Sequence, residues 1–123
     1  MENNKSLLID LSYLKEVASD NVDFMVEMID IFLNQTPDYV CVLSDAVAQK
    51  DWPKIAEMAH KIKPTLAFMG ANEAKEKMAS IEARAREKQD YEGISTDFNN
   101  LKNDFNLLFS GLEAKKDELL ANG

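Results

Sequence analysis

The residues best suited to chemistry are the chain's one histidine, His60, and a lysine three residues later, Lys63. Both lie in the stretch AHKIKPTLAFMG, which spans residues 59–70. A spacing of three residues places two side chains about one turn apart on the same face of a helix. The Lys63 ammonium could therefore reach an anionic group, such as phosphoryl, that the imidazole has taken up as a nucleophile.

The helix that contains His60 is predicted to turn this residue away from the core. At about 100° per residue, the apolar side chains cluster on the other side of the helix; they are Ile55, Met58, Ala59, Ile62, Leu66 and Met69. The face around His60 carries Pro53, Ala56, Glu57, Lys63, Pro64 and Ala67, with Phe68 at its edge. This pattern disfavours a core histidine and leaves a functional or an arbitrary surface residue. The small neighbours favour function, because they would let the backbone of a partner come close.

A proline follows His60 by four residues, inside the same predicted helix. Pro64 cannot donate a hydrogen bond to the carbonyl of His60, which costs roughly 3 kcal/mol in a helix interior. The helix could end before the proline, but Leu66 and Met69 keep the phase of the upstream apolar residues. We therefore expect a kinked, continuous helix. The kink either only fits the helix to its neighbours or also opens the surface beside His60.

The composition bounds the class of protein. A chain of 123 residues, 46% of them hydrophobic, is predicted to form one domain over residues 1–123. No run approaches the roughly 18 apolar residues of a membrane span, and the start is too polar for a signal peptide. We therefore expect a cytoplasmic protein without membrane association. A net charge of −8 disfavours nucleic acid as a partner.

The single cysteine, Cys41, cannot form an internal disulfide. One cysteine and one histidine are also a poor basis for a zinc site. We expect Cys41 to pack within the protein. The charged run over residues 73–88 is typical of a solvated helix face.

Apolar residues recur at three- and four-residue steps almost throughout, and only four glycines and three prolines interrupt them. This pattern predicts an all-α fold. We expect a short helix after Asp10, one kinked helix or two over 21–49, and helices over about 51–69, 72–88 and 94–120. The predicted N-caps include Asp10, Asp51 and Asn72, and Gly70 is the predicted left-handed residue after the third segment. Short connections favour an antiparallel up-and-down four-helix bundle with a short additional N-terminal helix.

The stretch AHKIKPTLAFMG resembles the signature of histidine-containing phosphotransfer (Hpt) domains, roughly A-H-x-L-K-G-S-x-x-x-x-x-G. LIDLSYLKEV resembles the family's first helix, and DFMVEMIDIFLNQTPDYV through LSDAVAQKDWPKIAEMAH resembles the lead-in to the histidine. The resemblance makes His60 the phosphoacceptor, Lys63 the lysine that stabilises the phosphoryl group and Gly70 the structural glycine. The chain departs from the signature at Pro64, where the family most often has glycine.

The resemblance implies a phosphocarrier in a two-component phosphorelay that is neither a kinase nor another enzyme. His60 would accept a phosphoryl group from the aspartate of one response-regulator receiver domain and pass it to another receiver. The receiver would supply Mg²⁺, so the domain would need no cofactor or metal of its own. A hybrid sensor kinase would be a further partner, and the domain would be a monomer. The expected docking residues are Ala56, Glu57, Pro64, Ala67 and Phe68.

Two other functions compete with this interpretation. The first is a non-catalytic helical adaptor that has lost the phosphate role and docks signalling partners; the presence of both His60 and Lys63 disfavours it. The second is a di-metal enzyme, which would need Glu-x-x-His pairs on inward faces. The pair Glu57-x-x-His60 occurs once and on the predicted outward face.

Overall fold

The computed structural model describes residues 9–122, which are predominantly helical. The helices are α1 (Ser12–Val17), α2 (Val22–Ala48), α3 (Trp52–Phe68), α4 (Asn72–Arg86) and α5 (Tyr91–Asn122). No strand occurs within this range, so the all-α prediction is confirmed. No helix in the same range is both long enough and apolar enough to cross a membrane.

Helices α2 to α5 form a closed ring around one core. Helix α3 packs against α2 and α4, and α5 completes the ring by packing against the same two helices. Within the ring, only residues 49–51, 69–71 and 87–90 connect consecutive helices, and such short connections make neighbours antiparallel. The predicted up-and-down four-helix bundle is therefore confirmed. Its core is one continuous cluster of buried apolar side chains, the largest of which include Phe98 and Phe105.

Helix α2 settles an alternative that the sequence left open. It runs from Val22 to Ala48 as a single helix, with Pro37 in its interior. Asn21 caps it, because its Oδ1 accepts a hydrogen bond from the Phe24 N–H at 3.1 Å. Thr36, the residue before Pro37, is 1% exposed and lies inside α2. No second helix therefore begins at this position.

One predicted helix start and one predicted N-cap were wrong. Helix α5 begins at Tyr91 and not near Ile94, because Asp90 caps it: Oδ1 of Asp90 accepts from the Gly93 N–H at 3.1 Å. Gly93 therefore lies in the first turn of α5. Helix α4 has Asn72 as its first residue, and the cap position before it is Ala71, which makes no side-chain cap. The predicted cap at Asp51 is confirmed by its bond from the Lys54 N–H at 3.3 Å.

Gly70 ends α3 as predicted. Its φ is +72°, in the left-handed region where glycine is favoured. The Gly70 N–H donates to the Ala67 carbonyl at 3.1 Å, and the Ala71 N–H donates to the Leu66 carbonyl at 2.9 Å, which is the Schellman arrangement. A Cβ at Gly70 would lie 1.9 Å from the carbonyl oxygen of Asp10. Gly70 is therefore required both by the turn and by the chain that packs on it.

Helix α1 lies at the end of the bundle where α3 ends. Its Leu14 is fully buried, and the Tyr13 ring packs on that of Phe68 with centroids 5.4 Å apart. Asp10, the predicted cap of α1, lies one residue before the cap position, and its Oδ1 accepts from the Ser12 N–H at 2.9 Å. Hydrogen bonding to the Ser12 side chain, and then to the Ser12 backbone N–H, lowers the pKa of the Asp10 carboxyl group.

Cys41 is exposed, so the prediction that it packs within the bundle was wrong. The buried residue nearby is Leu43. A step of two residues is about 200° around a helix, so Cys41 and Leu43 point in nearly opposite directions.

Replacing Gly70 with alanine should lower the free energy of unfolding. The left-handed φ alone should cost about 1–2 kcal/mol, and the contact with Asp10 should add to it. Urea unfolding followed by circular dichroism measures the change. The control is Gly111→Ala. A Cβ at position 111 would lie 2.6 Å from Cδ1 of Ile9, which is the flexible end of that side chain and can move away. An equal loss in both variants, or none at Gly70, would contradict this account.

Candidate functional site

Helix α3 presents His60 to solvent near its middle. The His60 side chain is 67% exposed, while its neighbour Ala59 and the next apolar residue, Ile62, are fully buried. The outward orientation predicted from the periodicity is confirmed. The site is therefore a surface around an open imidazole and not an enclosed pocket.

A carboxylate from α4 contacts this imidazole. Glu82 Oε2 lies 3.0 Å from His60 Nδ1, and Glu82 Oε1 accepts from Lys63 Nζ at 2.8 Å. Arg86, one turn further along α4, donates to Oε2 from Nε at 3.1 Å and from Nη2 at 2.6 Å. One carboxylate thus joins the two sequence-predicted residues, His60 and Lys63, to each other and to α4. We call these four residues the Glu82 network.

Glu82 is 7% exposed, although it belongs to the charged run that was predicted to be a solvated face. Burial, the largest influence, would raise the pKa of Glu82. Four interactions act against burial: the hydrogen bonds that Glu82 accepts from Lys63 and Arg86, the charge of Lys63, and the hydrogen bond from His60. Together they outweigh burial and lower the pKa of Glu82 to about 2. Glu82 is therefore ionised at neutral pH.

The ionised carboxylate fixes the role of each imidazole nitrogen. A carboxylate can only accept hydrogen bonds, so Nδ1 of His60 carries the proton in its contact with Glu82. In a neutral imidazole the other nitrogen, Nε2, then holds a lone pair. A base that orients the ring through one nitrogen leaves the other available for attack. The arrangement can thus support nucleophilic chemistry at Nε2.

Lys63 is placed to serve the same chemistry. Its side chain is 31% exposed, and it shares the Glu82 carboxylate with His60. An ammonium has three donors, and the contact with Glu82 Oε1 uses one of them. The remaining donors are available to an anionic group on the imidazole.

Four of the five expected docking residues lie at the surface around His60. Glu57 and Pro64 are exposed, and Ala67 and Phe68 are half-buried. Glu57 contacts Lys54 Nζ at 3.5 Å. The Phe68 ring packs on the Tyr13 ring of α1.

Ala56 differs from the expectation. It is 5% exposed, so the prediction that it belongs to the open face was wrong. Ala56 lines a groove between α3 and α4 together with Ala85 and Arg86. Because α3 has neighbours on two sides, its buried arc is wider than a single apolar stripe suggests.

Helix α3 continues through Pro64, as predicted, and ends at Phe68. Proline has no N–H, so Pro64 cannot donate to the carbonyl of His60. The adjacent Thr65 hydroxyl donates to the Ile62 carbonyl at 2.6 Å. The prediction that this stretch opens the surface beside His60 remains a prediction.

Within residues 9–122 there is no group of three or more His, Cys, Asp and Glu side chains that could hold a metal ion. The one histidine is on the outer face and contacts Glu82, not the bundle core. A di-metal bundle site would place its Glu-x-x-His pairs on inward faces.

A comparison with models of protein families identifies the family of this chain. The Hpt domain model matches residues 27–114, a range that contains His60, Lys63 and Glu82. The chain belongs to the Hpt domain family. Members of this family are phosphocarrier modules with a histidine phosphotransfer role in phosphorelays, where they interact with receiver domains. Searches of curated proteins and of solved structures found no match to this Hpt domain.

The pH dependence of stability should report the Glu82 network. A carboxyl group with a lowered pKa stabilises the fold fully above its unfolded-state value, 4.5, and loses this contribution as the pH falls to about 2. Between these two pH values the free energy of unfolding should fall by about 3 kcal/mol through Glu82 alone. Urea unfolding at several pH values, on the natural protein and on Glu82→Gln, should give a stability difference that shrinks over this range. A difference that is independent of pH would contradict the assignment.

Proposed function

We propose that His60 is the phosphoacceptor of this Hpt domain. On this proposal it takes a phosphoryl group from the aspartate of one response-regulator receiver domain and passes it to another. The observation that carries the proposal is an exposed imidazole whose Nδ1 is held by Glu82, which leaves Nε2 as the nucleophile. His60 is also the one histidine in the sequence.

The transfer is an attack of the Nε2 lone pair on the phosphorus of a receiver's aspartyl phosphate. The N–P bond forms as the P–O bond to aspartate breaks, and the aspartate leaves as a carboxylate. The receiver supplies Mg²⁺ and most of the electrostatic stabilisation. Lys63 contributes the donors that Glu82 does not use, which meet the phosphoryl oxygens.

The surface around His60 is suited to docking by a receiver. Pro64 and Glu57 are exposed on it, and Ala67 and Phe68 form its half-buried edge. The sequence contains no glycine-rich nucleotide loop, which supports a carrier and not a kinase. We infer that the domain acts as a monomer in the cytoplasm, with a hybrid sensor kinase upstream.

Transfer from a phosphorylated receiver domain in the presence of Mg²⁺ tests this function. The natural protein should acquire label that is labile in acid and stable in alkali, as expected for a phosphohistidine, and His60→Gln should acquire none. A panel of receivers covers differences in partner preference. Label on both forms would place the acceptor elsewhere, and label on neither form would favour the adaptor interpretation.

The role of Lys63 should appear in the transfer rate. A hydrogen bond to a charged group is worth about 1.5–3 kcal/mol, so Lys63→Ala should slow transfer by about tenfold to a hundredfold. The matched control is Lys61→Ala, since Lys61 is exposed on α3 and contacts the Tyr39 ring instead of the Glu82 network. Equal rates for the two variants would contradict a specific role for Lys63.

A further inference from the structure

The backbone carbonyl of His60 lacks its usual donor inside α3. In an α-helix the N–H of a residue bonds to the carbonyl four residues earlier, and the residue four after His60 is Pro64, which has no N–H. Helix α3 nevertheless continues through this position to Phe68. The hydroxyl of the next residue, Thr65, donates to the Ile62 carbonyl at 2.6 Å. The residue that carries the imidazole thus also carries a backbone acceptor without its helical partner.

This acceptor lies on the outer side of α3. A helical carbonyl points toward the residue four positions later, so that of His60 lies between His60 and Pro64. Both side chains are exposed. The ring of a helical proline clashes with the carbonyl four residues earlier, and carbonyls on the solvent side of a helix tilt outward to water. Water therefore satisfies the His60 carbonyl in the free protein.

A docked receiver would displace that water. A stable interface covers about 800 Å² on each partner, a patch with a radius of about 16 Å. Pro64 is only about 6 Å from His60 along the helix axis, so a receiver whose aspartate reaches Nε2 also covers the carbonyl. A buried carbonyl without a donor weakens the complex by the free energy of its desolvation. A receiver that supplies a donor avoids this loss.

We propose that Pro64 makes the His60 carbonyl a docking acceptor, which selects receivers that place an N–H or ammonium donor opposite residues 60–64. This inference rests on the proposed function of His60 and specifies which receivers the site accepts. A site whose polar group must be paired rejects partners that lack the matching group. Pro64 is thus a specificity-determining residue, and it takes no part in the bond changes at phosphorus.

The surroundings of the carbonyl suit this role. The expected docking residues that follow His60, namely Pro64, Ala67 and Phe68, have no polar side-chain atom. The carbonyl therefore adds a hydrogen-bond acceptor to an otherwise apolar part of the docking surface. The chain also departs from the family signature at this position, where a glycine would supply the missing N–H. The open carbonyl is therefore a property of this chain and not of the signature.

Three altered proteins separate the carbonyl from the proline ring. Pro64→Ala restores an N–H that can bond to the His60 carbonyl. Lactic acid incorporated at position 64 forms an ester, which removes the ring but supplies no N–H, so the carbonyl stays open. The control is Pro53→Ala. Pro53 is also exposed, but it lies in the first turn of α3, where a proline costs no helical hydrogen bond.

The hydrogen bond itself can be observed without a receiver. The amide at position 64 of Pro64→Ala should be protected from hydrogen exchange, and the ¹³C shift of the His60 carbonyl should differ from that of the natural protein. The ester protein and Pro53→Ala should keep the natural shift. An unprotected amide at position 64, or an unchanged shift in Pro64→Ala, would show that the carbonyl is not the missing partner.

Transfer from a panel of phosphorylated receivers with Mg²⁺ then tests the selection. For receivers that load the natural protein well, Pro64→Ala should raise the receiver concentration needed for half-maximal rate by about two- to tenfold, which corresponds to the loss of one hydrogen bond. The maximal rate should stay nearly the same. Receivers that load the natural protein poorly should lose nothing, so the preference between the two groups narrows. The ester protein and Pro53→Ala should keep the natural preference.

The outcomes separate this inference from the proposed function. If Pro64→Ala changes transfer from every receiver by the same factor, or changes none, the proline only shapes the helix and the inference is overturned, while the phosphoacceptor stands. The inference is also overturned if the ester protein behaves like Pro64→Ala, because the ring would then select the receiver. If no receiver loads the natural protein, the proposed function of His60 falls and this inference falls with it.

Discussion

The face around His60 depends on a carboxylate, that of Glu82, which is almost completely removed from water. Burying a charge costs several kcal/mol unless donors compensate it. Glu82 obtains that compensation from Lys63, Arg86 and His60. The orientation of the imidazole, the position of the lysine and the pairing of α3 with α4 are therefore parts of one electrostatic arrangement. The exposed histidine has a fixed environment on one side and solvent on the other.

The backbone has to bring two distant positions together for this arrangement to form. Glu82 reaches His60 because α4 folds back along α3 after a connection of only residues 69–71. Gly70 makes that reversal possible, and the small side chains of Ala56 and Ala85 line the groove between the two helices. A longer or differently shaped turn would change the register and move the carboxylate away from Nδ1. Gly70 thus influences the position of Glu82, which lies more than two turns into α4.

Most of the architecture could be predicted from periodicity, because each long helix has one apolar stripe and the connections are short. Periodicity also placed His60 outward, and the glycine after the apolar stripe of α3 predicted the left-handed turn at Gly70. Periodicity was misleading where a helix is covered by two neighbours at once. Ala56 of α3 is an example, because its buried side faces α4. Glu82 was missed for a related reason. It lies about 40° from the buried Met78 on a helical wheel, so a charge at the edge of the α4 stripe was a usable signal. A helical wheel drawn for one helix alone does not show which side of its apolar stripe faces the neighbouring helix.

The most direct test of the central claim is the identity of the phosphorylated atom in the natural protein. Protein labelled with ¹⁵N-histidine and phosphorylated by a receiver domain can be examined for a one-bond ¹⁵N–³¹P coupling. The account predicts a single phosphohistidine at His60 with phosphorus bonded to Nε2 and hydrogen on Nδ1. Phosphorus on Nδ1 would show that Glu82 does not select the reacting nitrogen. Phosphate on any residue other than His60 would contradict the proposed acceptor itself.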